Sequence, residues 1–133
     1  MPDVVRLVTV ADLQEGASDR NMSVSARLEA VLRDGRRIVL LDGRGWTESL
    51  RGSGADDMDV WATSSEDQIA ETAGFVVGPD EPYGGRSQSD METGHWDTLA
   101  EALVAQGVDA SADELRRLPR EVVLTERLRA RLA

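Results

Sequence analysis

The chain has 133 residues, of which 41% are hydrophobic, with no cysteine and a formal net charge of −10. That length and apolar content suit one folded domain over residues 1–133 and argue against global disorder, while the missing thiols exclude a disulfide scaffold, a cysteine zinc site, an iron–sulfur cluster and a thiol nucleophile. The longest strictly aliphatic run, Ile38–Leu41, is too short to span a bilayer, and Met1-Pro2-Asp3 shows no basic segment leading into an apolar one. We therefore expect a cytoplasmic protein with no signal peptide and no membrane partner. All fifteen basic residues are arginine, which with abundant Ala, Val, Gly and Asp suggests a GC-rich bacterial genome.

Val4-Val5-Arg6-Leu7-Val8-Thr9-Val10 is rich in β-branched residues and predicts a first strand. Ala11 to Asn21 reads as a polar connection. Val24 to Leu41 predicts the central hairpin, turning at Asp34-Gly35, because a type I′ turn needs positive φ at both central residues. Before the turn, Val24, Ala26, Leu28, Ala30 and Leu32 alternate with Ser25, Arg27, Glu29, Val31 and Arg33, giving one apolar and one more polar face. After it, Ile38-Val39-Leu40-Leu41 is apolar on both faces, as in a central strand covered above and below. A two-residue turn pairs Val31 with Ile38, Ala30 with Val39 and Leu28 with Leu41. Asp42-Gly43-Arg44-Gly45 ends the second strand, and Trp46 packs back on the sheet. Thr47 to Asp57 carries no regular pattern, and Met58 to Thr63 predicts a short fourth strand with Val60 and Trp61 on opposite faces.

The second half reads as helical. Ser65-Glu66-Asp67-Gln68 fits a capping box, Ile69, Ala73, Val76 and Val77 recur at helical spacing, and Gly78-Pro79 is a stop signal. Gly74 inside that helix costs about 1 kcal/mol relative to alanine, which leaves a strand over Phe75–Val77 as the alternative. Asp80 to Gln88 is a loop. Ser89-Asp90-Met91-Glu92 repeats the capping pattern, after which Met91, His95, Leu99 and Leu103 share a face with Trp96 beside it, and Gly107 closes the helix. Ser111-Ala112-Asp113-Glu114 caps a short third helix ending before Pro119. Val123, Leu124, Leu128 and Leu132 form one stripe of a C-terminal helix. The expected fold is α+β: an antiparallel sheet of about four strands built on the hairpin, with three to four C-terminal helices packed against it.

Charge is unevenly placed. Residues 1–52 hold eight acidic and eight basic groups, residues 53–115 hold fifteen acidic groups against Arg86 alone, and residues 116–133 hold Glu121 and Glu126 against six arginines. An acidic segment of that density can steer a basic protein partner, or it can simply keep the chain soluble. His95 is the only histidine and the one side chain whose ordinary pKa lies near neutrality; Glu92, one helical turn away, could make it a general base. The same pattern fits a structural histidine packed beside Met91 and Leu99. Asp56, Asp57 and Asp59 lack calcium-loop spacing, because Trp61 stands where the central glycine belongs. Gly43-Arg44-Gly45 resembles a phosphate-binding turn without its third glycine, and Gly84-Gly85-Arg86-Ser87 could hold an anion with backbone N–H groups and a guanidinium. Ser87 and Ser89 have no nucleophile-elbow context. The arginines at 116, 117, 120, 127, 129 and 131 surround a core-forming helix beside the acidic block, which argues against direct nucleic-acid binding.

The residues thus point to a binding or regulatory domain rather than an enzyme. It would dock a basic protein through its acidic middle segment, with Asp80, Glu81, Tyr83, Arg86, Asp90 and Glu92 as the expected contacts and no metal or cofactor. The alternative is a small-molecule binding protein or enzyme using His95 and the Tyr83–Ser89 loop. A flat acidic patch would favour the first; His95 in a cleft beside carboxylates or arginine would favour the second.

Overall fold

The computed structural model describes residues 3–14, 21–49, 61 and 65–132. Four strands, β1 (Val4–Leu13), β2 (Asn21–Leu32), β3 (Arg37–Ser49) and β4 (Arg120–Leu124), form one sheet in the order β3-β2-β1-β4. Four helices, α1 (Glu66–Val76), α2 (Gln88–Ala105), α3 (Ala112–Arg117) and α4 (Glu126–Leu132), complete an α+β fold. The β1–β2 and β2–β3 pairs are antiparallel, whereas β4 runs parallel to β1, so the sheet is mixed.

The alternation of β2 does what its period requires. Met22, Val24, Ala26, Leu28, Ala30 and Leu32 are all buried in the main core with Leu7, Ala11, Ile69, Ala73, Leu99 and Leu103. On the opposite face a smaller cluster of Val8, Val10 and Val31 is also buried. Glu29 belongs to that face and is only 7% exposed. It is covered because Arg27 donates to it from Nε at 2.6 Å and Arg37 from Nη1 at 3.0 Å, so the polar stripe of β2 is not a solvated one.

The hairpin departs from its expected register. The turn holds three residues, since the Gly35 N–H donates to Leu32 O and the Leu32 N–H to Arg36 O, with Gly35 at φ 91°. Such a loop shifts the pairing by one, to Val31 with Arg37 and Ala30 with Ile38. A bulge at Leu40 then restores Leu28 opposite Leu41. That bulge also explains the apolar run. β3 is an edge strand, not a central one; Ile38, Leu40 and Leu41 pack against the core, and Val39 turns outward, 50% exposed.

Of the expected strand over Met58–Thr63, only Trp61 lies among the described residues; it is buried, and it belongs to none of the strands. Among the described residues the fourth strand is β4, from a segment read as helix. Val123 and Leu124 continue β4, and the C-terminal helix begins only at Glu126, because three β-branched or apolar residues in a row beside β1 favour the ladder. β1 runs on through Ala11–Leu13, and Asn21 opens β2.

The helix ends follow their caps. Ser65 and Gln68 form the capping box of α1, which continues through Phe75 to Val76, so no separate strand forms there. In α2 the box is two residues earlier than expected: the Ser87 oxygen accepts from the Asp90 N–H while Asp90 accepts from the Ser87 N–H. Ser111 caps α3, and Gly107, at φ 82°, follows α2. No described helix is long and apolar enough to cross a membrane.

Candidate functional site

The site is assembled by the bulged stretch of β3 and, far from it in the sequence, the loop 79–87 running into the first turns of α2. Tyr83-Gly84-Gly85-Arg86 is a tight turn in which both glycines have positive φ, 60° and 79°, and the Arg86 N–H donates to Tyr83 O at 3.0 Å. Two consecutive left-handed residues define a type I′ turn, which sets its first and last side chains next to each other. The Arg86 guanidinium accordingly lies over the Tyr83 ring, 5.1 Å from its centroid. Tyr83 remains 60% exposed, so the stacked pair is a platform rather than a buried contact.

Beneath that platform is a cleft of about 270 Å³ lined by Leu41, Arg44, Asp80, Tyr83, Arg86, Asp90 and His95, with Met91 and Leu99 at its apolar base. Arg44 and Asp80 are joined at 2.8 Å across it. His95 is half-buried on the helix face that also carries Met91 and Leu99. Burial, reinforced by the positive charge of Arg44, pushes its imidazole below the usual histidine range despite the opposing effect of Asp80. A neutral ring at pH 7 can donate one hydrogen bond and accept another. Among the described residues Arg86 has no carboxylate partner; its Nη1 donates to the Tyr83 hydroxyl at 3.4 Å.

The expected contacts separate in space. Asp80, Tyr83, Arg86 and Asp90 all line the cleft with His95. Glu81 is exposed and outside it, and Glu92 faces α3, 3.6 Å from Arg116, with no hydrogen bond to His95. Arg44 was not legible as a member: the Gly43-Arg44-Gly45 turn is instead part of the bulged edge of β3, where Gly45 packs onto the Val24 backbone. Asp56, Asp57 and Asp59 lie outside the described residues. No three His, Cys, Asp or Glu side chains among the described residues converge as a metal would require. Of the hydroxyls near the cleft, Thr98 donates to Gly94 O and Ser87 caps α2.

Comparison with models of protein families, with curated proteins and with solved structures finds no match.

Proposed function

We propose that the protein binds a small anionic molecule in the His95 cleft. One observation carries this reading: Arg86, with no carboxylate partner among the described residues, is stacked on an exposed tyrosine and faces a half-buried, neutral histidine across one cavity. A guanidinium fixed by stacking loses little freedom on meeting a carboxylate or phosphate, and the tyrosine face adds contact area for a planar group. Arg44 offers a second cation, already held in place by Asp80. The reading supposes a cytoplasmic setting, which a cysteine-free chain fits. Chemical-shift titration with malonate, inorganic phosphate and adenosine monophosphate tests it. Saturable shifts confined to the amides of 83–90 and to His95 are expected for at least one; none at millimolar concentration would overturn it.

A second reading is favoured by the outer faces of α1 and α2. These helices contain no lysine or arginine, and Asp67, Glu71, Asp97 and Glu101 are exposed with no cationic partner among the described residues. Such a face suits a basic protein partner, and direct nucleic-acid binding is disfavoured by the same field. Neutralising Asp97 and Glu101 should then slow association with that partner and flatten its salt dependence.

A further inference from the structure

A second cavity of about 190 Å³ also has His95 in its lining. It lies between the sheet and the helices and opens to solvent past Gly74, Arg120 and Glu121, all exposed. Leu7, Leu28 and Val122 form its sheet wall, and Val77 and Trp96 its helix wall. Apolar cavities of about 150 Å³ take up benzene, so this one is large enough for a phenyl ring or a short alkyl chain.

Three features of the slot bear on what it could hold. Gly74 lines it from the interior of α1, where glycine costs helix stability. Its backbone does not need glycine, because its φ is not positive, and neighbouring atoms do not exclude a side chain. The nearest atom to an added Cβ is Val122 Cγ2 at 4.0 Å, an ordinary contact. What the glycine preserves is the space itself. Thr9, 5% exposed, also lines the slot and places a hydroxyl on its sheet side. Finally, Arg120 lines the slot with its guanidinium over the Trp96 ring, 4.5 Å from the centroid. It donates only to Arg116 O at 3.2 Å, and no described carboxylate pairs with it. The carboxylate of neighbouring Glu121 is occupied by Arg6 at 2.9 Å.

We infer that this slot is a binding site for a small aromatic or short-chain monocarboxylate, whose apolar body fills the space kept by Gly74 and whose carboxylate meets Arg120. The site is distinct from the His95 cleft and does not depend on the reading given to it. The stem of Arg120 and the indole of Trp96 form one edge of the slot, so a carboxylate there gains a charge-assisted bond without desolvating a buried charge.

Benzoate, octanoate and the neutral benzamide are the probes, read by amide shifts of Gly74, Val77 and Val122 and by calorimetry on the full chain. Benzoate or octanoate should saturate those shifts and bind more tightly than benzamide. Gly74→Ala should raise Tm while weakening benzoate, an opposition that a purely structural glycine would not produce. Arg120→Met keeps the stem over Trp96 and removes the charge; it should weaken benzoate about tenfold or more and leave benzamide unchanged. Arg86→Met, which alters the other cleft, should leave the benzoate-induced shifts of Gly74, Val77 and Val122 saturating as in wild type. The inference is overturned if neither acid shifts the slot amides, if Gly74→Ala binds benzoate as well as wild type, or if Arg120→Met weakens both probes alike.

Discussion

Asp12 and Arg127, 115 positions apart, are joined by two parallel hydrogen bonds of 2.7 Å, from Nε to Oδ1 and from Nη2 to Oδ2. The same carboxylate accepts from the Thr125 hydroxyl at 2.6 Å and the Leu13 N–H at 2.8 Å. It therefore ties the end of β1 to the junction between β4 and α4. A bidentate pair of this kind fixes orientation as well as position. These bonds hold the Asp12 carboxyl well below the usual carboxylate range against the opposing effect of burial, with Arg127 the largest influence.

Asp12→Asn should destabilise the protein by about 1–3 kcal/mol at pH 7, the range for losing hydrogen bonds to a charged group. Because the folded-state pKa is depressed, the contribution is complete above the unfolded value near 4 and is lost as pH falls below it. Urea denaturation at pH 7 and pH 3 checks this: the gap between wild type and Asp12→Asn should narrow at the lower pH.

The hairpin makes a contrasting pair. Leu28→Ala should cost about 2–5 kcal/mol as a core truncation. Glu29→Ala should cost about 1–2 kcal/mol, more than a surface change, since it strips a buried carboxylate from between Arg27 and Arg37; both arginines stay partly solvated, which caps the loss. Denaturant midpoints for the two variants decide whether Glu29 belongs to the interior.

Gly45→Ala should be more disruptive than Gly43→Ala. An added Cβ at Gly45 would clash with the Val24 carbonyl oxygen across the β2–β3 ladder, whereas at Gly43, in positive φ, it meets nothing. We expect about 1–3 kcal/mol for the former, as overpacking costs, and about 1 kcal/mol for the latter. Thermal melts of the two variants provide the check.

His95 gives the protein a defined acid sensitivity. Its folded pKa is lowered, chiefly by burial, so the unfolded chain takes up the proton more readily. The stability it contributes is present above the unfolded value near 6.5 and declines as pH falls through it toward the folded value. Between pH 7.5 and 5.5 the Tm of His95→Gln should fall less than that of the wild type.

Much of the fold was legible because it rests on local periodicity. The two-residue period of Val24–Leu32 and the caps at Ser65 and Ser111 follow from chemistry within a few residues. What was not legible depended on distant pairing. Val122–Leu124 became a strand because β1 lies beside it, which no window around Val123 reveals. The apolar run Ile38–Leu41, which suggests a central strand, sits on an edge, where the bulge at Leu40 lets both Leu40 and Leu41 reach the core. The candidate site divides the same way. His95, Tyr83, Arg86, Asp80 and Asp90 are near neighbours in sequence and could be grouped, but Arg44 joins them only across the sheet-to-helix packing, and Thr9, Gly74 and Arg120 meet only through the tertiary fold.

The most direct test of the account is calorimetry of the anion that produces the largest shifts at the cleft, on wild type, Arg86→Met and Asp97→Asn. Arg86→Met leaves the helices and the core untouched, so it should fold as wild type and lose about tenfold or more in affinity, the cost of one charge-assisted contact. Asp97→Asn, on the outer face of α2, should bind as wild type. Equal affinities for wild type and Arg86→Met would contradict the claim that the His95 cleft is a binding site for anions.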